Sequence, residues 1–422
     1  MTPPLKVKII LVFILILVIA LAVEESLDVT KPSTFPTNFW DVRSIDTAKF
    51  SRDLAREKIS DPSFDQVIDQ QVSDIASTGA NYVAIDTPYD EEFVPFLQRW
   101  VLSARKHNLN VWFRGNFSGW EQWFSYAKIS PQEHTADLQS FIIQHPQLFA
   151  DGDIFSTCPE CENGSIGDPR ATGDVTGFRN FLINENSIAS QAFKQIGKDV
   201  STNYFSMNLD VANLVMDPQT TQALGGVITV DHYADSSEKF GQDLQMLEKN
   251  TNAKIVLGEF GAPIPDLNGV FTDQQQADYI NQMMNSMVQI PNIIGVNYWS
   301  SYGGSTEIWK SDGTATPSVA VISQYYRPEV ISGFVVDELS KPIANAEVQA
   351  SDRTVFTDGY GKYVIPVIQN QDLQLTVSAK GFVTKQIDAK PDNSEIMLTK
   401  INEGIWFRLL KKFRPRKGLG GN

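Results

Sequence analysis

The chain has 422 residues, a formal net charge of −15, eight Trp and twenty-five Phe. That length exceeds one ordinary domain and allows a large core with an appendage. The acidic balance argues against nucleic acid as the main partner and favours neutral or cationic ligands, without choosing a substrate.

Lys6 and Lys8 precede an apolar run from Ile9 to Val23, and Ala20-Leu21-Ala22 has the small-x-small pattern of a cleavage site. The run fits a signal-peptide core better than a membrane span of about 20 residues. It also serves as a signal anchor if Leu5 and Val7 extend it and the lysines snorkel. Residues 1–23 therefore read as a signal peptide or signal anchor, and both readings place the chain outside the cytoplasm, secreted or membrane-anchored. Residues 24–35 are polar and Pro-containing, a linker.

From 36 to about 327 short apolar segments alternate with helical ones. The strand candidates are Asn38–Arg43, Tyr82–Asp86, Val111–Asn116, Asp153–Pro159, Tyr204–Asp210, Val227–Tyr233, Ile255–Phe260 and Ile293–Trp299. Between them, Phe64, Val67, Ile68, Val72 and Ile75 form a helical stripe. Ser130-Pro131-Gln132-Glu133 is a capping box that starts a helix. Leu244, Met246 and Leu247 mark a helix over 236–249, and Tyr279, Ile280, Met283, Met284 and Met287 mark another. Eight alternations in under 300 residues predict an α/β chain closed into a (β/α)8 TIM barrel. An open doubly wound sheet lacks the Gly-rich phosphate turn after an early strand.

Past Arg327-Pro328 the texture turns to β alternation: Val330–Val336, Val348–Ala350, Tyr363–Pro366 and Leu373–Ala379, with turns at Lys341-Pro342, Asp358-Gly359 and Lys380-Gly381. Residues 328–400 read as a small all-β sandwich, near the lower size limit for folding alone. Ile331-Ser332-Gly333-Phe334-Val335-Val336-Asp337 and Thr357-Asp358-Gly359-Tyr360-Gly361-Lys362-Tyr363 resemble the carboxypeptidase regulatory-like domain, which implies a transthyretin-like accessory module. The tail, 401–422, carries Arg408, Lys411, Lys412, Arg414, Arg416 and Lys417. It reads as a solvated basic tail or a contact for anionic lipid or wall polymer.

Only two cysteines exist, Cys158 and Cys161. A disulfide framework is excluded, and either a short-loop disulfide or two free thiols remains. A Zn site would need two further ligands. His107, His134 and His145 sit in helical segments and His232 is alone, so no metal and no cofactor is expected.

Barrel enzymes place their chemistry at the C-terminal ends of strands. The polar residues there are Asp86 after the second strand, Arg114 and Asn116 after the third, and Glu160 and Glu162 after the fourth. Asn208, Asp210 and Asn213 follow the fifth, Asp231, His232 and Tyr233 the sixth, Glu259 the seventh, and Asn297, Tyr298 and Trp299 the eighth. Carboxylates, amides and aromatics suit a sugar, whose ring face stacks and whose hydroxyls hydrogen-bond.

Glutamates ending strands four and seven resemble the arrangement of the clan A retaining glycoside hydrolases, with Ile255-Val256-Leu257-Gly258-Glu259-Phe260-Gly261 as the strand-seven motif and His232-Tyr233 and Trp299 at strands six and eight. The resemblance covers about 36–327 at superfamily level. It implies that Glu259 is the nucleophile and that Glu160 or Glu162 is the acid/base, with Glu160 preferred because it lies nearer the strand end. The expected substrate-binding residues are Asp86, Arg114, Asn208, Asp210, His232, Tyr233, Tyr298 and Trp299. The clan carries Asn-Glu at strand four, whereas this chain has Cys158-Pro159-Glu160-Cys161-Glu162. Arg114, if turned inward, and Tyr233 would hold Glu259 ionised. Trp120, Trp123 and Trp299 are either sugar platforms or core, and Asp86 with Arg114 either binds substrate or forms a supporting ion pair. The function expected is hydrolysis of O-glycosidic bonds of an extracytoplasmic glycan. The alternatives are a non-catalytic carbohydrate-binding protein and a surface adhesion protein on a degenerate barrel.

Overall fold

The computed structural model describes residues 35–350, 353–368, 373–389 and 392–401. The N-terminal apolar run and the basic tail after Ile401 lie outside the described residues. Among the described residues no helix is long and apolar enough to cross a membrane.

The chain divides into two compact units, one spanning essentially Asn38–Glu329 and the other built on Val330–Val367 with the segments after it. The first unit holds eight parallel strands: β1 Val42–Asp46, β2 Tyr82–Ile85, β3 Asn110–Phe113, β4 Ile154–Phe155, β5 Ser206–Asn208, β6 Val227–Asp231, β7 Lys254–Phe260 and β8 Ile293–Tyr298. Their order, β4-β3-β2-β1-β8-β7-β6-β5, curls the sheet round. The seam is bridged where Phe155 N donates to Ser201 O (2.8 Å) and Glu160 N donates to Ser206 O (2.8 Å). This is the eight-stranded β/α barrel expected from the alternation.

Two apolar layers hold it. Val42, Ala84, Trp112, Ile154, Val227 and Val256 fill the lower barrel interior. The outward faces of the strands pack against the surrounding helices in a much larger cluster. Inward positions nearer the C-terminal end switch to polar side chains, among them Ser44, Asp46, Asp86, Arg114, Ser206, Asp231 and Asn297, all buried. The barrel therefore has an apolar floor under a charged mouth, which is the layered packing that lets one end carry chemistry.

Several elements differ from the sequence reading. β1 begins at Val42 rather than Asn38, because Phe39 and Trp40 pack against Tyr325 and Tyr326 of helix Pro317–Tyr326 instead of entering the sheet. In helix Asp65–Ser77 the buried positions are Ile68, Gln71, Val72 and Ile75, while Val67 is exposed. Met246 is likewise exposed beside buried Leu244 and Leu247. The capping box forms as expected, with Ser130 N donating to the Glu133 carboxylate at 2.7 Å and Pro131 at the first helical position.

The second unit has two sheets. β10 Glu347–Ala350 and β13 Gln374–Ser378 form the centre of one, flanked by β11 Arg353–Phe356 and β14 Lys385–Asp388. β9 Glu329–Val336 lies between β12 Lys362–Val367 and β15 Asp392–Met397 in the other. Ile331, Val335, Val348, Tyr363, Ile365, Leu375 and Val377 make its core. The turns form on Asp337, which accepts from the N–H of Leu339 and Lys341, and on Asp358, which accepts from Tyr360 and Lys362. β11, β14 and β15 escaped the sequence reading; all three are edge strands, and no side chain of β11 or β14 is fully buried.

Candidate active site

Arg114, at the end of β3, is the hub of the mouth. Its side chain is 2% exposed. One terminal nitrogen donates to Glu259 Oε1 at 2.6 Å and the other to the Gly258 carbonyl. Asp46, Asp86 and Asp231 lie 3.6, 3.7 and 3.8 Å from the same guanidinium. Burial opposes the Arg114 charge, but Asp231, Glu259, Asp46 and Asp86 together hold its pKa above the usual range. Asn297 from β8 ties the hub down, donating to Gly258 O (2.8 Å) and Asp46 Oδ2 (3.2 Å).

Four carboxylates around one cation cannot all be ionised out of water without large cost. Burial, and then Asp46, push Asp86 far above the carboxylate range; burial, and then Glu259, do the same to Asp231. Arg114 with Asp86 is therefore part of a supporting network as well as a lining of the mouth.

Glu259 reaches this hub through a β-bulge. β6 and β7 pair Val230 with Leu257 and then Asp231 with Glu259, so Gly258 is passed over. A Cβ on Gly258 would meet Asp231 Oδ1 at 2.4 Å and Ser206 Cβ at 2.7 Å. Glycine thus lets the bulge close on the interior, and the bulge turns Glu259 inward. Gly261 has a similar reason, since its Cβ would sit 2.4 Å from the Trp299 carbonyl. Tyr233 OH donates to Glu259 Oε2 at 2.9 Å. Both expected donors reach Glu259, yet burial outweighs them. Its carboxyl rises from 4.5 to about 7, with Arg114 and Tyr233 lowering it and Glu160 and Asp46 raising it.

The strand-four loop supplies both glutamates, in different settings. Cys158 and Cys161 are joined as a disulfide within it. Glu160 has left-handed backbone (φ 45°), its side chain accepts from Asn163 Nδ2 at 3.1 Å, and its charge acts on Glu259 and Asp231. Glu162 is buried and accepts from the Asn208 backbone and amide at 2.8 and 3.0 Å. Burial raises its pKa against those bonds. Glu160 thus faces the mouth, while Glu162 and Asn208 fasten the loop to β5.

The remaining expected residues separate. Trp299 lies at the mouth, with Tyr233 at 6.4 Å and the Lys49 ammonium 4.9 Å from its ring. Tyr298 alternates to the other face: it is fully buried and its hydroxyl donates to Thr306 O (2.7 Å). His232 stacks on Phe240 and sits 3.2 Å from Asp243, with burial lowering its pKa. Asp210 is exposed and paired with Arg170 at 2.8 Å. A cleft of about 490 Å³ joins Asp231 and Tyr233 to Asn208, Asp210, His232 and Lys239. Trp120 is core, stacked on Phe181, whereas Trp123 is half-buried beside Arg52. Among the described residues no three His, Cys, Asp or Glu side chains are grouped to hold a metal ion.

Sequence reasoning missed Asp46 because it set β1 too early. It placed Asp231 at a strand end without giving it a role, since its inward turn depends on alternation from Val227. It did not see Glu121, which the turn after β3 brings to the mouth.

Over residues 330–399 the chain matches the family model of the Carboxypeptidase regulatory-like domain. No curated protein matches the sequence. Among solved structures, a variant of GH5_18 from Streptomyces cattleya in complex with Manb1-4GlcNAc is 12% identical, with a TM-score of 0.52 over 70% of this chain and 85% of that one. A variant of GH5_18 from Bifidobacterium longum subsp. longum, in complex with the same compound, is 13% identical, with a TM-score of 0.51 over 72% and 84%. An FMN-binding beta-glucuronidase from Facaelibacterium prausnitzii is 12% identical at a TM-score of 0.43 over 79% of this chain, which spans 53% of that one, about half its length. At these identities the likeness shows the fold alone.

Proposed function

We propose that the barrel is a retaining glycoside hydrolase, with Glu259 as nucleophile and Glu160 as acid/base. The observation that carries this reading is the Glu259 carboxylate itself. It is turned into the mouth by the Gly258 bulge and held on one oxygen by Arg114 and on the other by Tyr233, with the Glu160 charge acting on it from the strand-four loop. In the first step Glu259 bonds to the anomeric carbon as the glycosidic oxygen leaves with a proton from Glu160. In the second, water replaces Glu259 and returns a proton to Glu160. Trp299 beside Tyr233 offers an aromatic face for a sugar ring, and the cleft past Tyr233 offers room for a neighbouring unit. The substrate is then a carbohydrate, and the N-terminal apolar run supports action outside the cytoplasm, secreted or anchored.

The test is hydrolysis of a panel of aryl glycosides and polysaccharides by the wild type, Glu259→Gln and Glu160→Gln. The reading expects wild-type turnover, loss of at least about 10²-fold in each variant, and glycan binding retained by Glu259→Gln. Binding without turnover by the wild type would make the barrel a carbohydrate-binding scaffold instead.

A further inference from the structure

Helix Asp65–Ser77 and the loop after β8 enclose a groove of about 470 Å³ outside the mouth. Phe50, Val67, Gln70, Gln71, Tyr302 and Asp312 line it. Packing fixes its walls. Phe50 stacks on Phe64 at 6.2 Å and meets Tyr302 edge-on at 6.0 Å, and Tyr302 stacks on Trp309 at 5.8 Å. Asp74 pins the loop to the helix, accepting from Tyr302 OH at 2.5 Å and from Gln70 Nε2 at 2.9 Å.

Gln71 forms the floor. It is 2% exposed, yet among the described residues neither its amide nitrogen nor its amide oxygen has a hydrogen-bond partner. Asp74, three residues on, is committed to Tyr302 and Gln70. A buried amide unpaired at both ends is costly, and folded proteins pair such groups. The helix does not need this amide for its seat, since Ile68, Val72 and Ile75 hold it to the core. Gln71 therefore offers a donor beside an acceptor to what enters the groove.

The lining selects the ligand class. Among the described residues that line the groove, Asp312 is the only charged one, and it is exposed at the rim. Such a lining has no cation for a phosphate, a sulfate or a carboxylate. A donor beside an acceptor matches two neighbouring hydroxyls. Phe50, half-buried, offers a ring to the apolar face of a pyranose. The volume falls within the range of small-ligand sites, about 300–1,000 Å³.

We propose that this groove is a second carbohydrate site, which holds a neutral sugar unit without cleaving it, with Gln71 as the residue that recognises its hydroxyls. The proposal goes beyond the glycosidase reading, because binding here needs no turnover. Groove and mouth share their supports. Lys49 and Phe50 are consecutive in helix Ala48–Ser51: the Lys49 ammonium lies 4.9 Å from the Trp299 ring at the mouth, while Phe50 lines the groove. A Cβ on Gly303 would meet Lys49 Cβ at 3.1 Å, so the loop after β8 is seated on the same residue. One glycan chain that reaches both sites gains affinity from each.

The test is retardation of the full chain in native gels that contain laminarin, xyloglucan or galactomannan, with alginate as the anionic control. Glu259→Gln serves as the parent, so that no polymer is cut. The parent should be retarded by at least one neutral polymer. Adding Gln71→Leu should weaken that binding about tenfold or more. Val67→Arg, at an exposed position on the groove wall, should weaken it as much by covering the entrance, and keeps the test open should Gln71→Leu fail to fold. In the otherwise wild-type chain, Gln71→Leu should leave aryl-glycoside kcat/KM unchanged. Binding that survives both substitutions, retardation by no neutral polymer, or stronger retardation by alginate overturns the proposal. A matching loss of aryl-glycoside turnover in Gln71→Leu would assign the residue to the mouth and overturns it too. Should the wild type turn over no glycoside, the glycosidase reading falls while the gel series still decides the groove.

Discussion

Replacing Glu259 by Gln should stabilise the barrel, and by an amount that grows with pH. The folded Glu259 carboxyl is raised from 4.5 to about 7, and burial is the chief cause. The sign follows from linkage. A carboxyl that binds its proton more tightly when folded contributes its full stability below the unfolded value near 4.5. That contribution is lost as pH rises through about 7, where the buried group must ionise. At about 1.4 kcal/mol per pH unit, the rise corresponds to about 3 kcal/mol. The amide is close to isosteric: its oxygen still accepts from Arg114, and its NH₂ donates to the Tyr233 hydroxyl oxygen. It never has to ionise, so the loss disappears in the variant. Wild type and Glu259→Gln should therefore be similarly stable at about pH 4.5 and differ by about 3 kcal/mol above pH 8. For a unit of this size that is a gain of roughly 6 °C in Tm. Thermal and urea unfolding of both proteins across the pH series reads the difference. A gap that is constant with pH, or that narrows as pH rises, refutes the account of Glu259 as a buried carboxyl stressed by its own ionisation.

The same carboxyl governs activity, since a nucleophile must be ionised. The acidic limb of kcat/KM should have its midpoint at about 7. Tyr233→Phe, which removes the donor to Oε2, should move that limb about one pH unit higher, because a hydrogen bond to the charged form is worth about 1.5–3 kcal/mol; an unmoved limb would mean that Tyr233 does not hold the carboxylate. Gly164→Ala forces a Cβ against Trp120. It should cost about 1–3 kcal/mol of stability and reduce turnover more than about tenfold by pushing the strand-four loop off the Ser118–Glu121 turn that carries Trp120, with far-UV circular dichroism unchanged; full turnover would show that this contact is dispensable. In the sandwich, Ile365→Ala empties a fully buried site. A cost of about 2–5 kcal/mol should unfold this small unit while the barrel transition stays in place, as resolved by calorimetry.

The barrel was legible in the sequence because its signals are local. Each strand is a short apolar or aromatic run between turn residues, and each helix a stripe at spacing three and four, so chain order alone carries the alternation. The β7 motif was legible for the same reason: a Glu between glycines at a strand end stands out wherever the strand sits. The edges failed where local pattern and packing part company. Phe39 and Trp40 look like strand residues, but their rings find Tyr325 and Tyr326, nearly 300 residues on. Asp46 was lost with them. β11 and β14, half in solvent, carry no apolar period to read.

What tertiary structure alone decided is the division of labour among carboxylates. Sequence places Glu160 and Glu162 two residues apart in one loop with nothing to separate them. Packing against β5 sends Glu162 to Asn208, while Glu160 faces the mouth. Strand alternation sends Tyr298 into the core and leaves Trp299 beside Tyr233. Sequence likewise holds Glu121 far from any strand-four residue; Trp120 against Gly164 brings the two loops together. Composition and periodicity determine which elements form, since each depends on a few neighbouring residues. Proton affinity depends on burial and on charges from other strands, so the character of Glu259, Asp86 and Asp231 exists only once the eight strands close around Arg114.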